Sequence, residues 1–256
     1  MISTIAAKEL KSLFASPLAW IVLTAVQLAG AMVFLRQYDR FIEIQPQQLQ
    51  LGNAPGVTEF IATPLFTAMA VVLLLAVPLL AMRAIAEERR NQTMVLLTSA
   101  PLTMTQIVVG KFCGLAVFLV LVIALVSAMP LSLAPSTALD YGLLASLCAG
   151  LLILALGFAA VSLFLSSLTV HPMGAAFAAF AALLLMLLLG EAAADGLRAK
   201  GWLVPAALVQ VFSPLKNFEP FIKGVIDTYA IACGVLLALF FIVLTVRRLD
   251  SRRLRG

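Results

Sequence analysis

Long apolar runs follow one another along almost the whole chain. A helix needs about 20 consecutive apolar residues to cross the hydrocarbon core of a bilayer. Backbone N–H and C=O groups find no water there, so each run must satisfy them internally and is predicted to be an α-helix. Because 63% of the residues are hydrophobic and only 11% are charged, a single soluble core could not bury this apolar surface. The sequence therefore predicts an all-α integral membrane protein.

Six transmembrane crossings are predicted, separated by Pro, Gly and charged residues. Before the first crossing, apolar side chains occupy one half of a helix and two lysines the other, which is typical of a helix lying at the membrane interface. This elbow helix covers residues 1–17, where Ser16-Pro17 ends it, and a single transmembrane domain covers 18–256. The crossings are placed at residues 18–35, 61–82, 107–133, 143–168, 173–190 and 229–246.

The polar segments between crossings differ in character. Residues 36–60 are predicted to be an exposed loop, and residues 83–106 a coupling region on the cytoplasmic side. The outer segment 191–227 contains an apolar stretch, Trp202 to Phe212. That stretch predicts a short outer helix that either re-enters the membrane or lies at the interface with a Trp anchor.

The basic residues predict the orientation of the chain. With both termini in the cytoplasm, eleven of the 17 Lys and Arg residues lie inside, as the positive-inside rule favours. The pI near 9.4 then reflects topology rather than nucleic-acid binding, and the arginines near residue 250 are expected to contact anionic membrane lipids. Lys111, near the start of a crossing, is expected to extend its ammonium group towards water.

The charge-dense part of the coupling region resembles a docking element. Four charged residues, Glu87 to Arg90, precede an apolar cluster, Met94 to Leu97, and Pro101 would end a helix. Such a segment suits contact with a partner protein. An amphipathic helix lying on lipid headgroups would show the same pattern, and both interpretations stand at this point.

Residues that could perform chemistry are missing. Gly110-Lys111 is not the end of a phosphate-binding loop, since position 105 is Thr and Phe112 follows the lysine. The three cysteines lie far apart, and the single histidine, His171, is expected to be an ordinary turn residue. No catalytic site, metal site or cofactor is predicted, so the chain is not expected to be an enzyme. Any energy that its function requires must then be supplied by a partner protein.

The coupling region also carries a family resemblance. Its Glu-Glu-Arg-Arg at Glu87 to Arg90, Thr-Met-x-Leu-Leu at Thr93 to Leu97 and Ser-x-Pro-Leu at Ser99 to Leu102 resemble ABC-2 type permeases, closest to those of gliding-motility ABC exporters. The resemblance implies a permease subunit that serves export and lies in the inner membrane of a bacterium.

The resemblance also implies the partners and the contact residues. ATP would be bound by a separate ABC ATP-binding subunit, and the permease would pair with a second copy or a homologous permease, with an accessory envelope protein as a further partner. The residues expected to couple to the ATP-binding subunit are Glu87, Glu88, Arg89, Arg90, Met94, Leu96, Leu97 and Pro101. The alternative is a membrane anchor that transports nothing and docks an ATPase to a motility or envelope machine.

Overall fold

The computed structural model describes residues 1–51, 56–90, 103–135, 137–199, 202 and 209–253. All regular secondary structure in these ranges is helical, which confirms the all-α prediction. The α-helices are α1 (Ile2–Ala15), α2 (Pro17–Leu51), α3 (Val57–Arg90), α4 (Met104–Leu131), α5 (Tyr141–Leu168), α6 (Pro172–Ala199), α7 (Glu219–Ile222) and α8 (Thr228–Arg253), with a 3-10 turn at Lys216–Phe218 before α7.

Five of the helices in the described ranges are long and apolar enough to cross a membrane, namely α2, α3, α4, α5 and α8. The apolar part of α6, Pro172–Leu188, is shorter. Side chains that face away from the bundle, such as Val117, Leu121 and Phe177, are exposed apolar groups, as expected for a surface solvated by lipid. The chain is a multi-pass membrane protein.

Helices α3 and α5 form the centre of the bundle. In each of them, 67% of the most apolar 18-residue segment is buried inside the bundle, against 22% of the corresponding segment in α2 and in α8. Buried side chains recur along α5 at Leu147, Leu151, Leu154 and Phe158, a spacing of three and four residues that keeps them on one helix face. The centre is therefore held by continuous packing between α3 and α5, with the other helices around it.

The bundle has two ends that differ in their elements. At the first, Ile5 of α1 and Leu249 of α8 share an apolar cluster with the end of α3 and the start of α4, so α1 and the end of α8 lie on this side. We call it the α1 end. At the other, the far end, the backbone N–H of Asp140 donates to Thr58 Oγ1 over 2.8 Å, which joins the starts of α5 and α3.

The predicted loop at residues 36–60 is wrong for most of its length. Helix α2 continues to Leu51, and α3 begins at Val57. Residues 36–44 contain no Gly or Pro, and long polar and charged side chains are good helix formers. A change from apolar to polar composition therefore marked the end of the apolar part of α2 and not the end of the helix.

Two further predicted segments are partly helical. Residues 83–90 of the predicted coupling region continue α3 without a break, because Ala, Glu and Arg favour helix and no Pro or Gly interrupts them. Residues 191–199 of the predicted outer segment continue α6. Most of the apolar stretch from Trp202 to Phe212 lies outside the described residues.

Short helical elements close the far end. Phe218 and Phe221 are each 1% exposed and belong to the main core. Ser146 Oγ of α5 donates to the backbone oxygen of Phe221 over 3.2 Å. The ring of Phe221 rests on Gly150, where a Cβ would lie 2.5 Å from the Cβ of Phe221. The 3-10 turn and α7 therefore pack against the start of α5 through aromatic side chains and neutral hydrogen bonds.

Candidate functional site

The connection between α3 and α4 is bounded by two well-defined helix ends. Helix α3 runs to Arg90, and α4 begins after Thr103. Thr103 Oγ1 accepts from the backbone N–H of Gln106, and the Gln106 side chain accepts from the backbone N–H of Thr103, each over 3.2 Å. This capping box satisfies two N–H groups at the helix start, so a displacement of the connection reaches α4 at its first turn.

A buried ion cluster joins three helices beside this connection. The Nζ atom of Lys111 in α4 lies 3.0 Å from Oε2 of Glu9 in α1 and 2.8 Å from Oε1 of Glu88 in α3. The Lys111 side chain is 3% exposed, and those of Glu9 and Glu88 are 14% and 18% exposed. We call these three residues the Lys111 cluster. Because a buried charge without a partner is strongly unfavourable, the cluster restricts how α1, α3 and α4 can be arranged.

Two glycines of α4 bring α1 close enough for this contact. Gly110 and Gly114 flank Lys111 and lie four residues apart, on one helix face. A Cβ on Gly110 would lie 2.7 Å from the Cβ of Ile5, and one on Gly114 would lie 2.7 Å from the Cβ of Glu9. Small residues at this spacing allow two helix backbones to approach closely. The same surface of α4 thus provides both the glycines and the ammonium group that holds Glu9.

The end of α3 is also bound to the end of α5. Ser166 Oγ donates to the backbone oxygen of Met82 over 3.0 Å and accepts from the N–H of Ala86 over 3.1 Å. Met82 and Ala86 are partners in a regular α-helix, so the hydroxyl bridges a position in the backbone ladder of α3. Arg89 Nη1 donates to the backbone oxygen of Ser167 over 2.6 Å, which places a cation at the negative end of α5.

A polar cleft of about 430 Å³ lies between α1 and the end of α3. Within it, Arg83 pairs with Glu87 at 3.5 Å and donates to Ser16 Oγ. Ser16 is the residue at which the chain turns from α1 into α2. This hydrogen bond is a second link between α3 and the elbow.

The structure describes half of the predicted coupling residues. Glu88 contacts α4 and Arg89 contacts α5 of their own chain, and Glu87 pairs within α3. Arg90 is exposed at the last residue of α3. The other four predicted residues, Met94, Leu96, Leu97 and Pro101, lie outside the described residues.

The expected position of Lys111 is wrong. The lysine does not extend towards water, because two carboxylates from other helices surround its ammonium group. Sequence reasoning also missed Glu9, Ser16 and Ser166 as members of this site. One signal could have indicated the contact between α1 and α4: the Gly110 to Gly114 spacing is typical of close helix packing.

The sequence model of the family described as ABC-2 family transporter protein matches residues 3–252, nearly the whole chain. The chain belongs to that family. No curated protein matches it. An ABC-2 transporter protein is the membrane component of an ABC transporter, and such subunits generally pair with an ATP-binding subunit. The α3–α4 connection and its attachments are therefore a candidate site for receiving motion from a partner.

The chemistry of the site fits a mechanical role for this ABC-2 protein. Its groups are ion pairs and helix-end hydrogen bonds, which hold helices in position. In the ranges that the structure describes, no group of three or more His, Cys, Asp or Glu side chains is arranged to hold a metal ion.

Proposed function

We propose that this protein is the permease subunit of an ABC exporter in the inner membrane of a bacterium, with the α1 end in the cytoplasm. An ATP-binding subunit would contact the α3–α4 connection, and a second copy or a homologous permease would complete the membrane part. The observation that carries the proposal is that both flanks of this connection are tied to other helices, at Glu88, Arg89 and Lys111. A push on the connection would therefore move several helices together.

The charge distribution supports the orientation. Helix α1 with its two lysines, the end of α8, the basic end of α3 and Lys111 lie at the α1 end. The two elbow lysines, the three arginines of α3, Lys111 and the five arginines near residue 250 account for eleven of the 17 Lys and Arg residues. Basic residues near membrane segments favour the cytoplasmic side, so the α1 end is the side on which a soluble ATP-binding subunit would meet the chain.

Six of the eight coupling residues keep the role that the resemblance implies, and Glu88 and Arg89 take a different one. Glu87 and Arg90 would contact the ATP-binding subunit and set its register, whereas Glu88 and Arg89 would hold the end of α3 in place. Met94, Leu96 and Leu97 would supply the apolar contact, and Pro101 would end the element. Burial of two leucines at an interface contributes roughly 1.5 to 3 kcal/mol each, so their loss would weaken docking about a hundredfold or more.

The test is purification of the complex with the double variant Leu96→Ser, Leu97→Ser. We expect the ATP-binding subunit that copurifies with the parent chain to be lost from the variant, together with the stimulation of its ATP hydrolysis. The matched control is Val225→Ser, Ile226→Ser, which changes two exposed apolar neighbours at the far end and should leave binding and stimulation unchanged.

Two results would contradict the proposal. If the Leu96, Leu97 variant binds the subunit and stimulates ATP hydrolysis as the parent does, the connection does not couple the two proteins. If the parent binds the subunit but never changes its ATP hydrolysis, with or without membranes, the alternative of a membrane anchor that transports nothing is favoured.

A further inference from the structure

Helix α1 is attached to the bundle along one apolar side and is otherwise exposed. Leu13 is its one buried residue, the ring centroid of Phe14 lies 5.4 Å from that of Phe118 in α4, and Lys8 and Lys11 are exposed. A helix this exposed would be expected to rest passively on the membrane surface. Its contacts with the bundle are instead concentrated on α4, at the two glycines and at the ammonium group between them.

The Lys111 cluster holds α1 by charge. Glu9 and Glu88 approach one ammonium group from different helices, at 3.0 and 2.8 Å. If α1 separated from α4, or the end of α3 moved away, a buried charge would lose a partner. The arrangement therefore favours movement of the three helices as one body over movement of any one alone.

We infer that Lys111 is a positioning residue that ties α1 to the α3–α4 connection, so that α1 is a moving part of the transport cycle. This inference rests on the proposed function and names the route by which motion would leave the coupling site. A displacement of residues 91–102 reaches Glu88 at the end of α3 and Lys111 in the second turn of α4. Both transmit it to Glu9, and through Glu9 to the elbow.

Glu9→Gln tests the link with little risk to folding. The change removes the charge that belongs to α1 and leaves Lys111 paired with Glu88, so the remaining buried charges balance. The matched control, Glu43→Gln, makes the same change at an exposed position of α2. Spin labels at Lys11→Cys and Thr105→Cys, both exposed positions, report the distance between α1 and α4 in a background without the native cysteines.

We expect the parent and Glu43→Gln to give one narrow distance distribution, both without nucleotide and with the ATP-binding subunit trapped in its ATP-bound state. Glu9→Gln should broaden the distribution. It should also lower stimulated ATP turnover about 2- to 30-fold, the range of coupling free energies within a protein, while pull-down of the subunit and the KM for ATP stay unchanged. A purely structural role for Glu9 would not separate turnover from binding.

Three results would overturn the inference: a narrow distribution in Glu9→Gln, a broad distribution with full stimulation, or loss of subunit binding together with turnover. The first would mean that α1 is held without the Lys111 cluster, and the second that its movement does not matter to the cycle. The third would mean that Glu9 supports the docking surface itself. If the parent chain binds no ATP-binding subunit, the proposed function fails, and the distance measurement still decides whether Lys111 holds α1.

Discussion

The two ends of the bundle are held together by different physical means. At the α1 end, a buried ammonium group is shared by two carboxylates, and Arg89 closes the end of α5. At the far end, Phe218 and Phe221 fill the space beside α5, and the hydrogen bonds that join different elements, at Thr58 and Ser146, are neutral. Separating a buried ion pair leaves each charge without its partner, whereas a close-packed apolar contact is disturbed by any change in side-chain volume. The α1 end is thus sensitive to changes of charge and the far end to changes of volume.

The largest effect is expected for Lys111→Met. The substitution leaves the carboxylates of Glu9 and Glu88 close together without their cation, which costs about 3 to 5 kcal/mol for a broken buried ion pair. Thermal unfolding of the purified chain in detergent should show a corresponding loss of stability. The triple variant Glu9→Gln, Lys111→Met, Glu88→Gln should recover most of it, because no buried charge remains. A Lys111→Met chain as stable as the parent would show that charge does not hold the α1 end.

Phe221→Ala should be the most damaging single change at the far end. Truncation of a fully buried Phe costs about 3 kcal/mol in a core that relaxes only partly, and the lost volume lies against Gly150. The same unfolding measurement applies. Gly150→Ala alone should also destabilise the chain, since its Cβ would overlap Phe221. In the Phe221→Ala background its cost should be smaller, because two of the three atoms nearest to the added methyl group are then absent. Equal effects of Gly150→Ala in both backgrounds would argue against this contact.

A smaller loss is expected for Gly114→Ala. The added methyl group would lie 2.7 Å from the Cβ of Glu9 and 2.9 Å from the backbone oxygen of Ala6, so α1 must shift. Overpacking of this kind costs about 1 to 3 kcal/mol. Gly174→Ala is the control, because the nearest atom to a Cβ there is 3.9 Å away. Thermal unfolding in detergent should give a lower midpoint for Gly114→Ala than for Gly174→Ala. Equal unfolding midpoints for these two variants would mean that α1 does not pack closely on α4.

The smallest effect is expected for Ser166→Ala. The hydroxyl bonds Met82 and Ala86 of α3, but without it these two backbone groups can bond each other as in a regular helix. The net change should therefore stay within about 1 kcal/mol, the usual contribution of one hydrogen bond. A loss of stability as large as that expected for Lys111→Met would show that the backbone of α3 depends on the Ser166 hydroxyl for its helical structure.

Two of the breaks between helices could be predicted from the sequence, because proline placement acts locally. The break at Ser16 and the short turn before Pro172 lie where their neighbouring residues require them. The continuation of α2 to Leu51 was missed because polarity indicates exposure and not the end of a helix.

The Lys111 cluster could not be derived in the same way. Glu9, Glu88 and Lys111 are distant in sequence, and a lone lysine beside an apolar run is usually solvated. Their meeting depends on which face of α4 receives α1, and that is decided by Gly110 and Gly114 together with the end of α3. Tertiary packing, and not local composition, determines which charges become partners.

The close contact between α1 and α4 has a consequence for the exchange of segments between related permeases. The side chains of Ile5 and Glu9 match the absence of side chains at Gly110 and Gly114, so the two surfaces form one complementary unit although about a hundred residues of chain separate them. A chimera that took residues 1–15 from another permease and kept residues 104–114 of this one would join two surfaces that are not complementary. Recombination that preserves assembly has to carry both segments together.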